Sequence, residues 1–359
     1  MKITKIAVIT VLTSLFLASC AKEDKPQDIP LGAYDNGVLI LNQGNFQTPN
    51  SSVSYLSRDL TTFQNNIFQL VNPSEVLGDT GQDIGFYGDL AYIVMNVSNK
   101  IEVVNRYSMK HVTSIETGLS NPRYIAFFNG KGFVTNWGDT GSTSDDFVAV
   151  INLATNTVSS SISVVEGPER IVAENNSLYV AHKGGYGFGN SISVINPATN
   201  TVSKSIPVGD VPNTMAESNG VLYVLCEGIP SWPVTPAETG GKLVKINLAT
   251  NTVSSTINFG ATVHPQNLII DSSILYYTEG SNIYATSLVA TTLPNTPIFS
   301  TTAQGVYGVY SFEVENNKVY VGDALDYSAN GKVYIYSLLG ALEKEYTVGV
   351  SPAGFYFNL

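Results

Sequence analysis

Three histidines are the residues best suited to acid–base or metal chemistry in this sequence: His111, His182 and His264. None has the spacing of an HExxH metal site, and the sequence contains neither a GxSxG nucleophile motif nor a glycine-rich phosphate loop. The segment 323–331 is rich in carboxylates and amides, but it lacks the regular spacing and final glutamate of a calcium-binding loop. We therefore expect a protein that is not an enzyme and that needs no metal or cofactor.

Residues suited to binding a ligand form two groups. Polar residues of varied chemistry flank a series of recurring prolines: Arg123, Tyr124, Glu169, Arg170, Asn213, His264, Gln266 and Asn267. Aromatic residues lie in long polar stretches: Trp137, Tyr186, Phe188, Trp232 and Tyr327. Aromatic rings supply flat contact area that suits a large planar ligand or a protein partner. We predict that both groups bind a ligand; the alternative role for Glu169 and Arg170 is to form ion pairs between neighbouring structural units.

An internal repeat must position these residues. Its clearest copies are INLATNTVSS at 151–160, INPATNTVSK at 195–204 and INLATNTVSS at 246–255. In each copy an alternating apolar run ends in a polar turn and then resumes, which predicts a β-hairpin. An aromatic residue within an apolar run recurs at intervals of 41 to 53 residues, at Tyr92, Phe133, Tyr179, Tyr223, Tyr276 and Tyr320. The prolines keep the same register, at Pro122, Pro168, Pro212, Pro265 and Pro352.

Four short strands fit in each repeat, and this pattern predicts a propeller blade. Six aromatic-bearing strands and the segment 37–41 give seven blades. The first blade lacks an innermost strand of its own, and we expect the C-terminal segment 353–357 to supply it and to close the ring. The prediction is an all-β, seven-bladed β-propeller of four-stranded antiparallel blades spanning 37–359. A β-sandwich, the alternative, would not predict the closing strand.

One end of the predicted central channel carries the candidate residues, and we call this end the mouth. The innermost strands begin there, and the loops between second and third strands lie around it. Those loops are long, at 42–52, 135–146, 182–191, 227–242 and 322–332, whereas the turns at the opposite end are short. A short connection loses less conformational entropy on folding than a long one does. Loops that are long on one face only therefore indicate a binding site on that face.

The N-terminus predicts export and lipidation. Lys2 and Lys5 precede an apolar run that is too short to span a membrane, and small residues then lead to Cys20. This segment resembles the lipobox of bacterial lipoproteins, which implies a signal peptide over 1–19 and lipidation of Cys20. Residues 20–36 read as a flexible tether. An ordinary signal peptide with a chance cysteine is the alternative. The acidic pair at 23–24 resembles the surface-export signal of Bacteroidetes lipoproteins, which implies the outer face of the outer membrane, with the periplasmic face left open.

The charge balance restricts the partners. With 18 Lys and Arg against 29 Asp and Glu, the chain has a formal net charge of -11 and no basic cluster. A nucleic-acid-binding protein needs such a cluster to displace phosphate counterions, so we exclude nucleic acid. A closed ring has no free sheet edge, and we expect a monomer.

The repeat units resemble the YVTN-type propeller repeat of bacterial surface and periplasmic proteins. Together with the lipobox they are similar to the BtuG-type surface propellers of Bacteroidetes. That resemblance implies capture of cobalamin at the mouth and its delivery to a TonB-dependent outer-membrane transporter. Two alternatives remain: a protein-interaction or adhesion propeller, and an enzyme resembling seven-bladed lactonases or lyases. The enzyme would need His182 or His264 within hydrogen-bonding reach of a carboxylate such as Glu169.

Overall fold

The computed structural model describes residues 31–139, 141–232 and 235–359. Within them the chain forms seven four-stranded antiparallel sheets. This is the predicted all-β, seven-bladed β-propeller, and the sheets are its blades. The predicted signal peptide (1–19), Cys20 and the predicted tether up to residue 30 lie outside the described residues.

The strands follow one another along the chain from blade to blade. Blade 1 holds β1 (Gly37–Asn42), β2 (Ser52–Ser57) and β3 (Phe63–Gln64), and blade 2 holds β4 (Gly81–Tyr87), β5 (Leu90–Met95), β6 (Lys100–Asn105) and β7 (His111–Ile115). Blade 3 holds β8 (Pro122–Phe128), β9 (Lys131–Asn136), β10 (Phe147–Asn152) and β11 (Thr157–Ser163), and blade 4 holds β12 (Pro168–Glu174), β13 (Ser177–His182), β14 (Ser191–Asn196) and β15 (Thr201–Pro207). Blade 5 holds β16 (Pro212–Ser218), β17 (Val221–Cys226), β18 (Lys242–Asn247) and β19 (Thr252–Asn258), and blade 6 holds β20 (Gln266–Asp271), β21 (Ile274–Glu279), β22 (Asn282–Ser287) and β23 (Phe299–Ser300). Blade 7 holds β24 (Ser311–Glu315), β25 (Lys318–Asp323), β26 (Asn330–Ser337) and β27 (Leu342–Val350), and β28 (Pro352–Asn358) returns to blade 1. A helix, α1 (Ile67–Val71), follows β3, and a 3₁₀ helix (Thr302–Gln304) follows β23.

Each blade is apolar on both faces because it packs between two others. In β14, Ile192 and Val194 pack toward blade 5, whereas Ile195 packs toward blade 3. The outermost strand β15, rich in serine and threonine, is largely exposed. Apolar and polar residues therefore alternate less along the middle strands than they do in a sheet with one solvent-exposed face.

The repeated turn sequence forms the predicted hairpin between third and fourth strands. In blade 3 the side-chain oxygen of Asn152 accepts a hydrogen bond of 3.0 Å from the Ala154 N–H. Asn156 then adopts a left-handed conformation with φ 50°. Asparagine tolerates this conformation better than most residues, which explains its place in every copy of the turn.

The C-terminal strand closes the ring, as predicted. β28 pairs antiparallel with β1, with Phe355 opposite Ile40. It also bonds to both neighbouring blades: Ser311 donates to the Pro352 carbonyl at 2.6 Å, and the Tyr356 hydroxyl donates to Asp83 at 3.1 Å. The last strand of the chain thereby joins blades 7, 1 and 2.

The described part of the predicted tether, residues 31–36, lies against the propeller. Tyr34 is buried, and its N–H donates to the Tyr107 carbonyl at 2.9 Å. The Asn358 side chain donates to the Tyr34 carbonyl at 2.7 Å. In the part of the chain that the structure describes, no helix has the length and apolar character needed to cross a membrane.

Candidate ligand-binding mouth

The innermost strands of blades 1 to 6 begin irregularly at the mouth, whereas β24 of blade 7 pairs regularly with β25. In β8 the pairing with β9 shifts register between Pro122 and Ile125, and β12 shifts between Pro168 and Ile171. A bulge of this kind leaves residues outside the regular ladder and redirects their side chains. The residues within the bulges are the polar ones that follow the prolines, so the irregularity presents them at the mouth.

Aligning the seven innermost strands by their pairing gives two layers of side chains at the mouth. The first layer contains Gln82, Arg123, Glu169, Asn213, Gln266, Tyr310 and Ala353. The second contains Asp83, Tyr124, Arg170, Thr214, Asn267, Ser311 and Gly354. The next layer, starting with Ile84 and Ile125, is apolar and belongs to the core.

Arg123 and Glu169 form an ion pair between blades 3 and 4. The Arg123 Nε lies 3.0 Å from Oε2 of Glu169, and Nη2 lies 2.8 Å from Oε1. Trp137 covers the pair, with its ring 4.2 Å from the guanidinium and its Nε1 donating to the Pro168 carbonyl at 3.0 Å. Burial alone would raise the pKa of Glu169, but Arg123 holds that pKa below its ordinary value. Glu169 thus has the inter-blade role that the sequence left open.

Arg170 has a different environment from Arg123. Its guanidinium lies 4.0 Å from the centre of the Tyr124 ring, and it makes no hydrogen bond or ion pair with the residues that the structure describes. The Tyr124 hydroxyl accepts a 2.9 Å hydrogen bond from Gln82. Asp83 lies in the same layer, where it accepts hydrogen bonds from the Ile125 N–H and the Tyr356 hydroxyl. Burial raises the pKa of Asp83.

Glu227, which the sequence analysis did not select, organises the other side of the mouth. Its carboxylate accepts hydrogen bonds from Asn213 at 3.0 Å and from Gln266 at 2.7 Å. His264 bonds through Nδ1 to the Glu227 carbonyl at 3.0 Å and through Nε2 to Glu238 at 3.1 Å. The sequence signal that could have identified Glu227 is its position directly after the second strand of blade 5, which is equivalent to the position of Trp137 in blade 3.

Asn267 contributes to the joint between blades 6 and 7. Its side-chain amide donates to Thr278 Oγ1 and to the Val309 carbonyl, both at 3.0 Å. The backbone at Asn267 is left-handed, with φ 57°. The structure therefore places this predicted ligand-binding residue at the mouth with its amide donor already engaged.

The predicted loop aromatics form an arc above blades 3 to 5. Trp137 meets Tyr186 edge-on at 5.7 Å between ring centres, and Phe188 lies 6.1 Å from Trp232. Tyr186 is 72% and Trp232 is 75% exposed, so both offer free ring surface. Across the mouth, Tyr327 packs edge-on against Tyr310. Tyr310 was missed because blade 7 lacks the marker proline.

The two histidines at this end have partners other than Glu169. His182 is buried, bonds through Nε2 to Ser193 Oγ at 2.8 Å, and has its pKa lowered to about 4 by burial. His264 bonds to the backbone carbonyl of Glu227 and lies within hydrogen-bonding reach of one carboxylate, that of Glu238, rather than Glu169. Within the described residues no group of three or more potential ligands is arranged to hold a metal ion.

A groove of about 410 Å³ lies between blades 5 and 6, lined by residues that include Phe259, Tyr277, Glu279 and Leu293. It contains none of the predicted binding residues, and Tyr277 is buried beneath it. The convergence of charged, amide and aromatic groups favours the mouth as the binding site.

The fold and the site together define a class of protein, a seven-bladed β-propeller whose mouth is lined by polar and aromatic side chains. The chain belongs to the family described as "Domain of unknown function (DUF5074)", which matches residues 36–357. No curated protein matches the chain.

Solved structures similar to this chain share its fold at low sequence identity. A quinoprotein alcohol dehydrogenase-like protein of Bacteroides thetaiotaomicron VPI-5482 is 14% identical with a TM-score of 0.64, covering 91% of this chain and 79% of that chain. A 6-phosphogluconolactonase-like protein of Bacteroides uniformis ATCC 8492 is 13% identical with a TM-score of 0.61, covering 90% of this chain and 99% of that chain. A computationally designed protein, Ika8, is 10% identical with a TM-score of 0.56, covering 90% and 96%. At such identities the likeness extends to the fold alone.

Proposed function

We propose that the protein captures a ligand at the mouth of its propeller, and that the ligand is cobalamin or a related corrinoid. The observation that carries the proposal is the composition of the mouth, where two layers of polar side chains lie beneath an arc of aromatic rings. Exposed rings suit the face of a large planar molecule, and the amides and charges beneath them suit its polar substituents. The proposed role is binding without chemical transformation.

The proposed setting follows from the N-terminus. We propose that the chain is anchored through lipid on Cys20 at the outer face of the outer membrane, and that it acts there as a monomer. A lipid-anchored protein of this kind would bind the ligand outside the cell and pass it to a TonB-dependent transporter. The sequence resemblance to BtuG-type propellers supports this setting.

Titration of the chain from residue 21 onward with cyanocobalamin tests the proposal. Binding is followed by tryptophan fluorescence and by calorimetry. We expect one-to-one binding with quenching, because Trp232 is 75% exposed on the mouth. Trp232→Ala should weaken binding by about tenfold or more, as loss of an aromatic anchor does.

Tyr87→Ala is the matched control. Tyr87 is 42% exposed and ends β4 at the opposite end of the channel, so its loss should leave binding unchanged. Absence of heat and quenching at high micromolar cyanocobalamin would overturn the corrinoid proposal. Equal effects of the two substitutions would show that the mouth is not the binding site.

A protein partner is the second candidate, and the exposed rim favours it. Large aromatic side chains that stand clear of the surface serve protein docking as well as small-molecule binding. Around the mouth these include Phe46, Tyr186, Trp232, Tyr307 and Tyr327. Cross-linking from the rim on intact cells, with and without cyanocobalamin, separates the candidates: a partner cross-link insensitive to the ligand favours protein docking.

A further inference from the structure

Arg170 is a charged group of the mouth with unused hydrogen-bonding capacity. A guanidinium carries five N–H donors, and those of Arg123 are committed in part to Glu169. The guanidinium of Arg170 makes no hydrogen bond to any residue the structure describes, and it lies 4.0 Å from the centre of the Tyr124 ring. A half-buried guanidinium with free donors is suited to receive an acceptor group from a ligand.

Arg170 acts electrostatically on groups of several blades. Its charge affects the pKa of Asp83 in blade 2, of Tyr356 in β28 and of Glu313 in blade 7. The side chain belongs to the second layer of the mouth and contacts Tyr124 of the neighbouring blade 3. A ligand group that enters the mouth would meet the N–H donors of this guanidinium.

The surroundings restrict what that ligand can be. The rim and mouth carry carboxylates, among them Asp139, Glu166, Glu227 and Glu238, and the whole chain has a formal net charge of -11. A highly charged anion would be repelled by them. A single oxyanion on an otherwise uncharged body would be repelled less and would meet the guanidinium of Arg170, whose planar fork matches the two oxygens of a phosphate or carboxylate.

We infer that Arg170 binds one oxyanion, a phosphate ester or carboxylate, carried by a larger uncharged ligand whose planar part lies against the aromatic arc. This inference rests on the proposed function of the mouth, and it adds the chemical class of the ligand. In the bound state the oxyanion accepts hydrogen bonds from the N–H groups at the edge of the guanidinium, while the Tyr124 ring continues to cover one face of the guanidinium.

The test compares two corrinoids on wild type, Arg170→Gln, Arg170→Lys and a control, Lys183→Gln. Cyanocobalamin contains a phosphodiester, and dicyanocobinamide does not. We expect Arg170→Gln to weaken cyanocobalamin binding by about ten- to a hundredfold, because a charge-assisted hydrogen bond is lost. Arg170→Lys should have a smaller effect, since it keeps the charge but not the fork. Lys183→Gln removes a neighbouring positive charge and should change affinity little.

Dicyanocobinamide should bind wild type and Arg170→Gln equally. Tight cyanocobalamin binding that Arg170→Gln leaves unchanged would overturn the inference while the proposed function stands. If cyanocobalamin does not bind at all, titration with dimethyl phosphate, a singly charged phosphodiester, decides the inference separately: millimolar binding lost in Arg170→Gln supports it, and binding by neither protein overturns it. Thermal unfolding of each variant establishes that it is folded before binding is compared.

Discussion

Glu313→Gln should make the protein more stable above neutral pH. Glu313 lies in β24, half-buried beside the channel, and its Oε1 accepts a 3.0 Å hydrogen bond from the Val314 N–H. Burial raises its pKa from 4.5 to about 7, against the opposing effects of that hydrogen bond and of Arg170. Glu315 on the same strand and Asp271 on β20 also face it and raise its pKa further.

The sign of the effect follows from the proton balance. Between pH 4.5 and about 7 the folded protein holds a proton on Glu313 that the unfolded chain has released. Stability therefore falls as pH rises through this window and stays lowered above it. At about 1.4 kcal/mol per pH unit, the difference between 4.5 and about 7 corresponds to about 3 to 4 kcal/mol at pH 8. Glutamine resembles the protonated acid and cannot ionise, so the variant should avoid this loss.

Urea denaturation of wild type and Glu313→Gln at pH 4.5, 6 and 8 measures the effect. The two proteins should have similar unfolding free energies at the lowest pH and should diverge as pH rises. Glu343→Gln, which removes an exposed carboxylate paired with Lys318, controls for the change in net charge. Parallel curves for wild type and Glu313→Gln, or a less stable variant at pH 8, would refute the reasoning.

Three further predictions concern stability, each measured by denaturation. Trp137→Ala should lower the free energy of unfolding by about 2 to 3 kcal/mol, because the ring packs on Arg123 and its N–H donates a hydrogen bond. Trp232→Ala should lower it by under about 0.5 kcal/mol, because that ring is exposed. Equal losses would contradict this difference. Glu169→Gln should cost about 3 kcal/mol, since it leaves Arg123 buried without its charge partner, and an unchanged midpoint would mean that solvent replaces the pair. Deleting 352–359 should abolish cooperative unfolding of the ring, because β28 completes blade 1; a variant with near wild-type cooperativity would show that the ring does not need closure.

The positions of the site residues could be predicted from the sequence, but their roles could not. Repeat register placed Arg123, Glu169 and Arg170 at one end of the channel, because equivalent positions in a propeller lie at equivalent heights. Register does not specify which neighbours bond. Arg123 reaches across to Glu169 one repeat later, while Arg170 is left to stack on Tyr124. Inter-blade pairing, which the sequence suggested for Glu169 and Arg170, is therefore confirmed for Glu169 alone, and ligand binding by either residue stays a prediction.

The two tryptophans illustrate the same division. Both occur in long polar loops of similar composition, so the sequence predicts the same exposed role for each. In the fold, Trp137 directly follows β9 and is drawn onto the Arg123–Glu169 pair, whereas Trp232 lies further along its loop and remains exposed. Distance along the loop from the strand end decides how far the side chain can reach from the scaffold.

The sequence by itself determined the number of blades, their four-stranded build, the closing strand and the face that carries long loops. These properties repeat along the chain, and each depends on local patterns of apolar, turn and proline residues. Only the tertiary structure decided that Glu227 joins Asn213 to Gln266 and that Arg170 stacks on Tyr124 without a hydrogen bond to the described residues. Such contacts join residues of different blades, and they depend on bulge geometry and side-chain conformations that no single repeat encodes.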